Sequence, residues 1–336
     1  MAAGPSQGRP PHRSVVALGG GHGLYASLSG LRRVTRDLTA VVTVADDGGS
    51  SGRIRREFGV LPPGDLRMAL AALCGDDEWG TTWSRVIQHR FTGSPSAGGE
   101  RDGVSSGLGG HAVGNVLIVA LWELLGDTVQ GLDWVGRLLG AHGRVLPMAA
   151  VPLDLVAEVE GADPNRPDDV TIVRGQVACA TTTGRVRSVS LVPADPPACP
   201  EAVQAIGTAD WVVLGPGSWF TSVLPHLLVP ELAAALVGTR ARRLVALNLA
   251  PQPGETEGFS PHTHLDVLAD HAPDLAVEVV LADRAAARGS GGELEKAAGR
   301  LGARLVLADL AVGDGSARHD PLRLAGAFAR IFDGEE

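Results

Sequence analysis

The stretch SVVALGGGHGL, residues 14–24, combines a short apolar run, a glycine-rich turn and the start of a helix. The run SVVAL is typical of a strand that is covered on both faces. Gly19, Gly20, Gly21 and Gly23 follow it, and glycine lets backbone N–H groups approach a phosphate closely at a helix N-terminus. The stretch therefore predicts a strand–turn–helix unit. Its turn either binds an anionic group or only reverses the chain.

The alternation of strand and helix continues along the chain and indicates the fold class. Further strand-like runs occur at 38–45, 210–214, 243–250, 275–282 and 303–310, each joined to a helix-like segment. This order favours a parallel sheet with helices on both faces. Residues 144–192 differ, because strand-like segments alternate with turn-rich ones there. We predict an α/β protein with a Rossmann-like, doubly wound, mainly parallel sheet in one domain, residues 14–330, and a β-rich subdomain at about 144–192.

The segments outside this pattern carry few apolar residues. Residues 1–13 lack the apolar stretch of a signal peptide, so we expect a disordered leader. Residues 92–110 read as a loop insert.

The sequence contains no uninterrupted run of about 18 apolar residues, so we expect no membrane span. The three cysteines are far apart and form no CxxC pair, which fits a cytoplasmic protein better than a disulfide or zinc framework.

Charge and lysine content exclude two classes of protein. The formal net charge is −9 and the pI is about 5.6, which argues against a general nucleic-acid binder. The only lysine is Lys296, and no GxxxxGK[ST] motif is present, so a P-loop NTPase is excluded.

Four predicted strands end in loops that suit a ligand. These loops are GGGHG (19–23), ADDGGSSGR (45–53), GPGS (215–218) and NLAPQPGET (248–256). In an open α/β sheet, ligands bind outside the carboxyl ends of the strands, where such loops converge. The set of four loops therefore predicts one binding crevice, although each loop alone has an ordinary explanation as a turn.

The second loop begins with two adjacent acids, Asp46 and Asp47. Side chains alternate along a strand, so the two carboxylates should diverge. One would bind a metal or a ribose hydroxyl while the other fixes the loop. Asp65 either completes a Mg²⁺ site together with the metal-binding acid of this pair or only caps a helix. The residues after the two acids form a second candidate anion site: Gly48, Gly49, Ser50, Ser51 and Arg53.

Two further groups of polar residues open helical segments. His111 and Asn115 are four residues apart and would share one helix face. Gly215, Gly217 and Ser218 stand at a strand-to-helix junction, where a phosphate site or a helix-capping serine is expected. For both groups a purely structural role remains an alternative.

The motifs, in this order, resemble the gluconeogenesis-factor family, the YvcK branch of the CofD-like proteins. The resemblance spans about residues 15–330 and is carried by ALGGGHGL, AVVTVADDGGSSGR, LPPGDLRMAL, GHAVGN, ADWVVLGPGSWFTSVLPHLLV and NLAPQPGETEGFSPHTH. It implies a Rossmann-like α/β fold in the cytoplasm. Related 2-phospho-L-lactate transferases use a nucleotide-diphosphate donor and Mg²⁺ held by aspartates.

The resemblance implies a function without establishing turnover. Members of this branch bind UDP-sugars such as UDP-N-acetylglucosamine, and they support cell shape and cell-wall control during gluconeogenic growth. We therefore expect a non-catalytic UDP-sugar-binding protein with Mg²⁺ as its one candidate cofactor. The alternatives are a Mg²⁺-dependent transferase with a nucleotide-diphosphate-linked donor and, more distantly, an NAD-binding oxidoreductase. We also expect a homodimer, with LVPELAAALVG as a candidate contact, and a regulatory kinase as a partner.

The resemblance also implies site residues. Asp46, or Asp47, would hold Mg²⁺ together with Asp65. The candidate ligand-binding residues are Gly19, Gly20, Gly21, His22, Gly23, Asp46, Asp47, Gly48, Gly49, Ser50, Ser51, Arg53, His111, Asn115, Gly215, Gly217, Ser218, Asn248, Gln252 and Arg318. The chain departs from the family pattern at His22, where threonine is common, and at Ala250 and Pro251, where a hydroxyl is lost.

Overall fold

The computed structural model describes residues 13–92 and 107–335, apart from Pro164 and Pro167. The predicted leader, except Arg13, and most of the predicted insert at 92–110 lie outside the described residues. Arg13 already belongs to the folded domain, because its guanidinium pairs with Asp333 at 2.5 Å. At the other end of the domain the last helix continues to Asp333, slightly beyond the predicted limit at residue 330.

Ten strands form two sheets within the described residues. Their bounds are β1 Ser14–Gly19, β2 Asp37–Val42, β3 Arg144–Pro147, β4 Asp154–Glu160, β5 Val170–Arg174, β6 Arg185–Val192, β7 Trp211–Leu214, β8 Arg242–Ala246, β9 Val279–Asp283 and β10 Arg304–Ala308.

The α-helices between the strands are α1 Gly21–Leu31, α2 Gly49–Phe58, α3 Gly64–Leu73, α4 Glu78–Gln88, α5 Val113–Leu125, α6 Thr128–Leu139, α7 Gln176–Ala180, α8 Pro200–Thr208, α9 Pro230–Gly238, α10 Pro261–His271, α11 Gly291–Arg300 and α12 Pro321–Asp333. A π-helical turn, Trp219–Val223, and a 3-10 turn, Leu224–Leu228, follow β7.

The large sheet has seven strands in the order β10-β9-β8-β7-β1-β2-β3, and every pairing in it is parallel. This is a doubly wound order. The chain first adds β2 and β3 on one side of β1, then forms the small sheet, and finally adds β7 to β10 on the other side of β1. The direction reverses between β1 and β7, and open α/β sheets bind ligands at such a switch point. The predicted fold class is confirmed.

Burial explains why the strands of this sheet were recognisable. Val15 to Leu18 of β1 and all of β7 are buried, because helices cover both faces of the sheet. A strand covered in this way reads as an almost continuous apolar run rather than an alternating one. Helix α1 packs beside β1 and against α3 and α12.

The β-rich segment divides between the two sheets. β3 is the edge strand of the large sheet and pairs with β2, whereas β4, β5 and β6 form a separate antiparallel sheet in the order β5-β4-β6. The second half of VTIVRGQVACA forms the short helix α7 instead of continuing a strand. The subdomain therefore starts at Asp154, later than the predicted residue 144.

Helices α5 and α6 follow α4 in the chain. Helix α6 ends at Leu139, because Gly140 takes the left-handed conformation at its C-terminus, with φ of 61°. Helix α5 is buried on one face only, and Leu124 is 78 % exposed. Within the described ranges no single helix is long and apolar enough to span a membrane. Only Trp219–Leu228 and Pro230–Gly238 taken together, bent by 82°, reach that length and composition.

The candidate dimer contact lies on α9. Leu232 and Leu236 of this helix are buried within the chain itself, so its apolar character has an explanation inside one protomer. The homodimer remains a prediction.

Candidate functional site

The glycine loops after β1 and β7 touch each other at the switch point. A Cβ placed on Gly23 would lie 2.1 Å from the carbonyl oxygen of Pro216, so only glycine permits this approach. The N-cap residue Gly20 offers no capping side chain to α1. The N–H of Gly21 donates to the Asp65 carboxylate, and the N–H groups of His22 and Gly23 are left for a ligand. An eleven-residue helix therefore directs its positive end at the space between the two loops.

This space is a cavity of about 430 Å³, which we call the central cavity. Its volume is within the range of small-molecule sites. All four predicted loops contribute to it, the second of them through Asp46 alone, and Asp65 of α3 also lines it. The lining residues are Gly20, Gly21, His22, Gly23, Asp46, Asp65, Gln176, Val177, Ala180, Gly217, Ser218, Thr221, Ser222, Gln252, Pro253 and Glu255.

The two adjacent acids diverge, as the alternation of side chains predicts. Asp46 lines the central cavity, and its carboxylate accepts a 2.9 Å hydrogen bond from the backbone N–H of Gly48 and another from the hydroxyl of Ser51. Asp47 does not line the cavity and accepts a 3.0 Å hydrogen bond from the backbone N–H of Val177. Asp46 therefore faces the ligand space, and Asp47 ties its loop to the β-rich subdomain.

Asp65 is the most perturbed acid that lines the cavity. Burial and, to a smaller extent, the negative charge of Asp46 raise its pKa to about 7, against the opposing effects of the Gly21 N–H and the Arg67 guanidinium. A Cβ on Gly20 would lie 2.5 Å from Asp65 Oδ2, so this carboxyl group sits directly under the glycine loop. Burial likewise raises the pKa of Asp46. Two acids that disfavour each other's ionisation thus share one space.

This pair fits a Mg²⁺ ion that is completed by ligand phosphates. Within residues 13–92 and 107–335 no group of three or more His, Cys, Asp or Glu side chains could hold a metal ion, so an all-protein cage is not formed there. Mg²⁺ commonly uses one or two carboxylates together with substrate phosphates and water. The donors at Asp46 and Asp65 are hard oxygen atoms beside a helix N-terminus that suits phosphate.

Glu255 is a buried acid that the sequence analysis did not single out. Its carboxylate is 4 % exposed and accepts hydrogen bonds from the backbone N–H groups of Phe220 and Thr221, at 2.8 and 2.9 Å, and from the hydroxyl of Ser218. Burial raises its pKa, while these hydrogen bonds oppose the rise. Glu255 therefore fixes the turn after GPGS.

Asn248, two residues after the end of β8, also stabilises the GPGS loop. Its side-chain amide forms two hydrogen bonds with the backbone of Gly217, accepting from the N–H at 2.9 Å and donating to the carbonyl at 2.8 Å. Asn248 does not line the central cavity, so its contacts support the loop rather than reach into the ligand space. Gly215 lies behind the same loop, where its carbonyl accepts from the hydroxyl of Ser27 at 2.9 Å.

Ser50, His111 and Asn115 form a buried cluster outside the central cavity. The hydroxyl of Ser50 lies 3.0 Å from His111 Nδ1 and accepts a 3.0 Å hydrogen bond from the amide of Asn115. Burial lowers the pKa of His111. The cluster joins the start of α2 to the segment that enters α5. His111 precedes this helix, which begins at Val113, so the predicted shared helix face is wrong: His111 and Asn115 come together through Ser50 instead.

The remaining candidates lie outside the lining of the central cavity. Arg53 donates to the carbonyl of Gly109 at 3.0 Å, and the hydroxyl of Ser51 accepts from the N–H of Gly64 at 3.0 Å. Arg318 is on an exposed turn, where its guanidinium pairs with Asp314 at 2.7 Å. Gly19, Gly48 and Gly49 shape the loops without lining the cavity. Ligand contact by these residues stays a prediction.

Several lining residues had only a weak signal in the sequence. Gln176, Val177 and Ala180 come from α7, which the strand-like pattern of 144–192 concealed. Thr221 and Ser222 follow GPGS closely in the sequence, and their hydroxyl groups were the only sign that they could line a ligand site. Glu255 belonged to the PGET segment, in which an acid beside a glycine also fits an exposed turn.

Comparison with known proteins agrees with this architecture. The family described as 2-phospho-L-lactate transferase CofD matches residues 15–309. A protein of Mycobacterium leprae, whose name as a gluconeogenesis factor is provisional, is 51 % identical over 333 residues, covering 98 % of this chain and 89 % of the relative. The gluconeogenesis factor of Halalkalibacterium halodurans is 38 % identical over 269 residues, covering 80 % of this chain and 77 % of the relative.

A solved structure shows the same fold. The crystal structure of a UPF0052 family member from Bacillus halodurans matches with a TM-score of 0.79 and 32 % identity, covering 94 % of this chain and 98 % of that chain. The sequence resemblance, the matched residues and the shared fold agree, and the chain therefore belongs to the gluconeogenesis-factor branch of the CofD family.

Proposed function

We propose that the chain binds a nucleotide-diphosphate-linked sugar of the UDP-N-acetylglucosamine type in the central cavity and acts as a gluconeogenesis factor in cell-shape and cell-wall control. The observation that carries the proposal is the meeting of two glycine loops and a free helix N-terminus opposite the Asp46–Asp65 pair. Free backbone N–H groups and a helix N-terminus favour a diphosphate. The uridine, the sugar and the cellular role rest on the family resemblance and on the names of the relatives.

The proposal assigns roles to individual residues. The N–H groups of His22 and Gly23 would donate to the diphosphate, and Ser218 and Thr221 would offer hydroxyl donors from the opposite wall. Asp46 and Asp65 would hold Mg²⁺, which when bound would neutralise charge on the diphosphate. The location we propose is the cytoplasm, in keeping with three buried free cysteines.

A second candidate function is transfer of a group from such a donor to an acceptor hydroxyl. It is favoured by Asp65, because a pKa of about 7 allows this carboxyl group to accept or release a proton at neutral pH. The family that matches residues 15–309 is also described as a transferase. In this function Asp65 would accept the proton of the acceptor hydroxyl.

Calorimetry and thermal unfolding test the proposal directly. The panel contains UDP-N-acetylglucosamine, UDP-glucose, GDP, GTP and NAD, each with and without Mg²⁺. A ligand at 100 times its Kd adds roughly 2.7 kcal/mol of stability. A response to NAD and to no UDP-sugar would reject the proposal in favour of the oxidoreductase alternative. Release of free nucleotide only when an acceptor is present would establish the transferase instead.

A further inference from the structure

A second cavity of about 420 Å³ adjoins the central cavity, and we call it the arginine cavity. Its lining residues are His22, Tyr25, Arg67, Met68, Gln88 and Arg90. His22 lines both cavities, so they meet at the first turn of α1. Among the residues that the structure describes, the lining contains two guanidinium groups and no carboxylate, which is the composition expected for a site that takes a negative charge.

Arg67 is unusually buried for a cation. Its side chain is 5 % exposed, and in the part of the chain that the structure describes neither Nε nor Nη1 has a hydrogen-bond partner. A buried charged donor without a partner costs free energy, so such a group commonly marks a place where another molecule supplies the acceptor. Arg67 thus provides donors that the fold leaves for an incoming group.

The backbone around Arg67 holds the side chain in this position. A Cβ on Gly114 would lie 2.7 Å from Arg67 Cγ, so the start of α5 leaves room for the arginine stem only because residue 114 has no side chain. Arg67 lies on α3, two residues after Asp65, and its guanidinium stays inside the domain instead of extending into solvent.

Arg90 brings a second positive charge to the same cavity. It is exposed, and its Nη1 donates to the carbonyl of Gly110 at 3.2 Å. The charge of Arg90 acts unfavourably on the Arg67 guanidinium in this cavity, and the carboxylates of Asp65 and Asp46, which line the central cavity, each offset only part of that repulsion. Two guanidinium groups that repel each other are stabilised when an anion lies between them.

We propose that the arginine cavity is a subsite for a compact oxyanion, a phosphate or carboxylate group, held by Arg67 and Arg90. The subsite goes beyond the proposed function, because Arg67 and Arg90 do not line the central cavity that would receive the diphosphate. The oxyanion comes either from a separate small molecule or from an additional anionic substituent of the ligand in the central cavity. Both sources use the same guanidinium chemistry.

Phosphate titration of the whole chain tests the subsite. Thermal unfolding and calorimetry are measured in sodium phosphate against sodium chloride of equal ionic strength, for the wild type, Arg90→Gln and Arg85→Gln. Arg85 is exposed on α4 and lines neither cavity, so its variant removes the same charge nearby. We expect phosphate to stabilise the wild type and Arg85→Gln equally, and Arg90→Gln to bind it about tenfold more weakly.

Two results would overturn the inference. One is equal stabilisation of the wild type by phosphate and by chloride. The other is equal phosphate affinity in the wild type and Arg90→Gln, which would put the anion elsewhere, for example at the glycine loops. Arg90 is exposed, so this variant is expected to fold. The test therefore does not depend on a change at the buried Arg67.

Nucleotides then distinguish the two sources. If the oxyanion is a separate molecule, phosphate still binds to UTP-saturated protein, and Arg90→Gln weakens that binding. If it is a substituent of the ligand, UTP-saturated protein excludes phosphate whereas UDP-saturated protein still binds it, and Arg90→Gln weakens UTP binding about tenfold more than UDP binding. Affinity for UDP-N-acetylglucosamine is measured alongside. If the wild type does not bind UDP-N-acetylglucosamine, the proposed function is rejected, and the phosphate titration still decides whether the subsite exists.

Discussion

Asp46 and Asp47 are consecutive in the chain, yet Asp46 lines the central cavity while Asp47 accepts a 3.0 Å hydrogen bond from Val177 in the β-rich subdomain. One carboxylate is available to a ligand, and the other joins two parts of the fold that are 130 residues apart in sequence. Substitutions at the two positions should therefore have different effects.

Asp46→Asn should remove the Mg²⁺ dependence of nucleotide binding, because it takes one of two carboxylates from the proposed metal site. Asp47→Asn should retain that dependence and lose about 1–2 kcal/mol of stability, since a charged hydrogen bond to the backbone becomes a neutral one. Calorimetry with and without Mg²⁺, together with urea unfolding, measures both effects. If Mg²⁺ dependence survives in Asp46→Asn, this residue does not bind the metal.

The pKa of Asp65 predicts how stability depends on pH. The unfolded chain releases this proton near pH 3.9, whereas the folded chain holds it up to about pH 7. Between these values the folded state binds more protons, so stability falls as pH rises, with a limiting slope of about 1.4 kcal/mol per pH unit. Asp65→Asn should flatten this slope.

Urea unfolding from pH 4 to 8 measures the effect of Asp65, with Asp274→Asn, an exposed position, as the control. Mg²⁺ should stabilise the wild type more at pH 8 than at pH 5, because protons compete with the metal for the carboxylate. The same pH slope in Asp65→Asn and the wild type would show that another group causes it.

Gly23→Ala should destabilise the protein by about 1–3 kcal/mol and weaken nucleotide binding, because the new Cβ would overlap the Pro216 carbonyl and push the two loops apart. Gly207→Ala is the matched control, since Gly207 lies in α8 with open space around it. The control should gain up to about 1 kcal/mol from helix propensity. Unchanged nucleotide affinity in Gly23→Ala would contradict a site built on the contact between these loops.

Glu255→Ala should cost on the order of 2–4 kcal/mol, because it leaves the backbone N–H groups of Phe220 and Thr221 buried without acceptors. It should also weaken nucleotide binding, since Ser218 loses its partner. Glu257→Ala, at an exposed position of the same loop, should change stability by less than about 0.5 kcal/mol. Similar unfolding midpoints for the two variants would show that Glu255 does not fix the turn.

Much of the fold was readable because buried parallel strands produce apolar runs that local sequence displays. The run at 14–18 marked β1, and 210–214 marked β7, almost to the residue. The four loops were also identifiable, since glycine, serine and acid clusters directly follow those runs. The sequence indicated helices α2 and α7 less clearly. Helix α2 begins with glycine and serine residues that are typical of a loop, and α7 has only five residues.

The sequence by itself determined the order of strands and helices and the presence of ligand-type loops, because burial on both faces of a sheet and tight turns each require particular residues locally. Only the tertiary structure decided that Asp46 rather than Asp47 faces the cavity and that Glu255 fixes the GPGS turn. It also decided that Nε and Nη1 of Arg67 are buried with no partner among the described residues. Those outcomes depend on contacts between segments far apart in the chain. Local patterns constrain a side chain's neighbours along the chain, but they do not fix which distant backbone it meets.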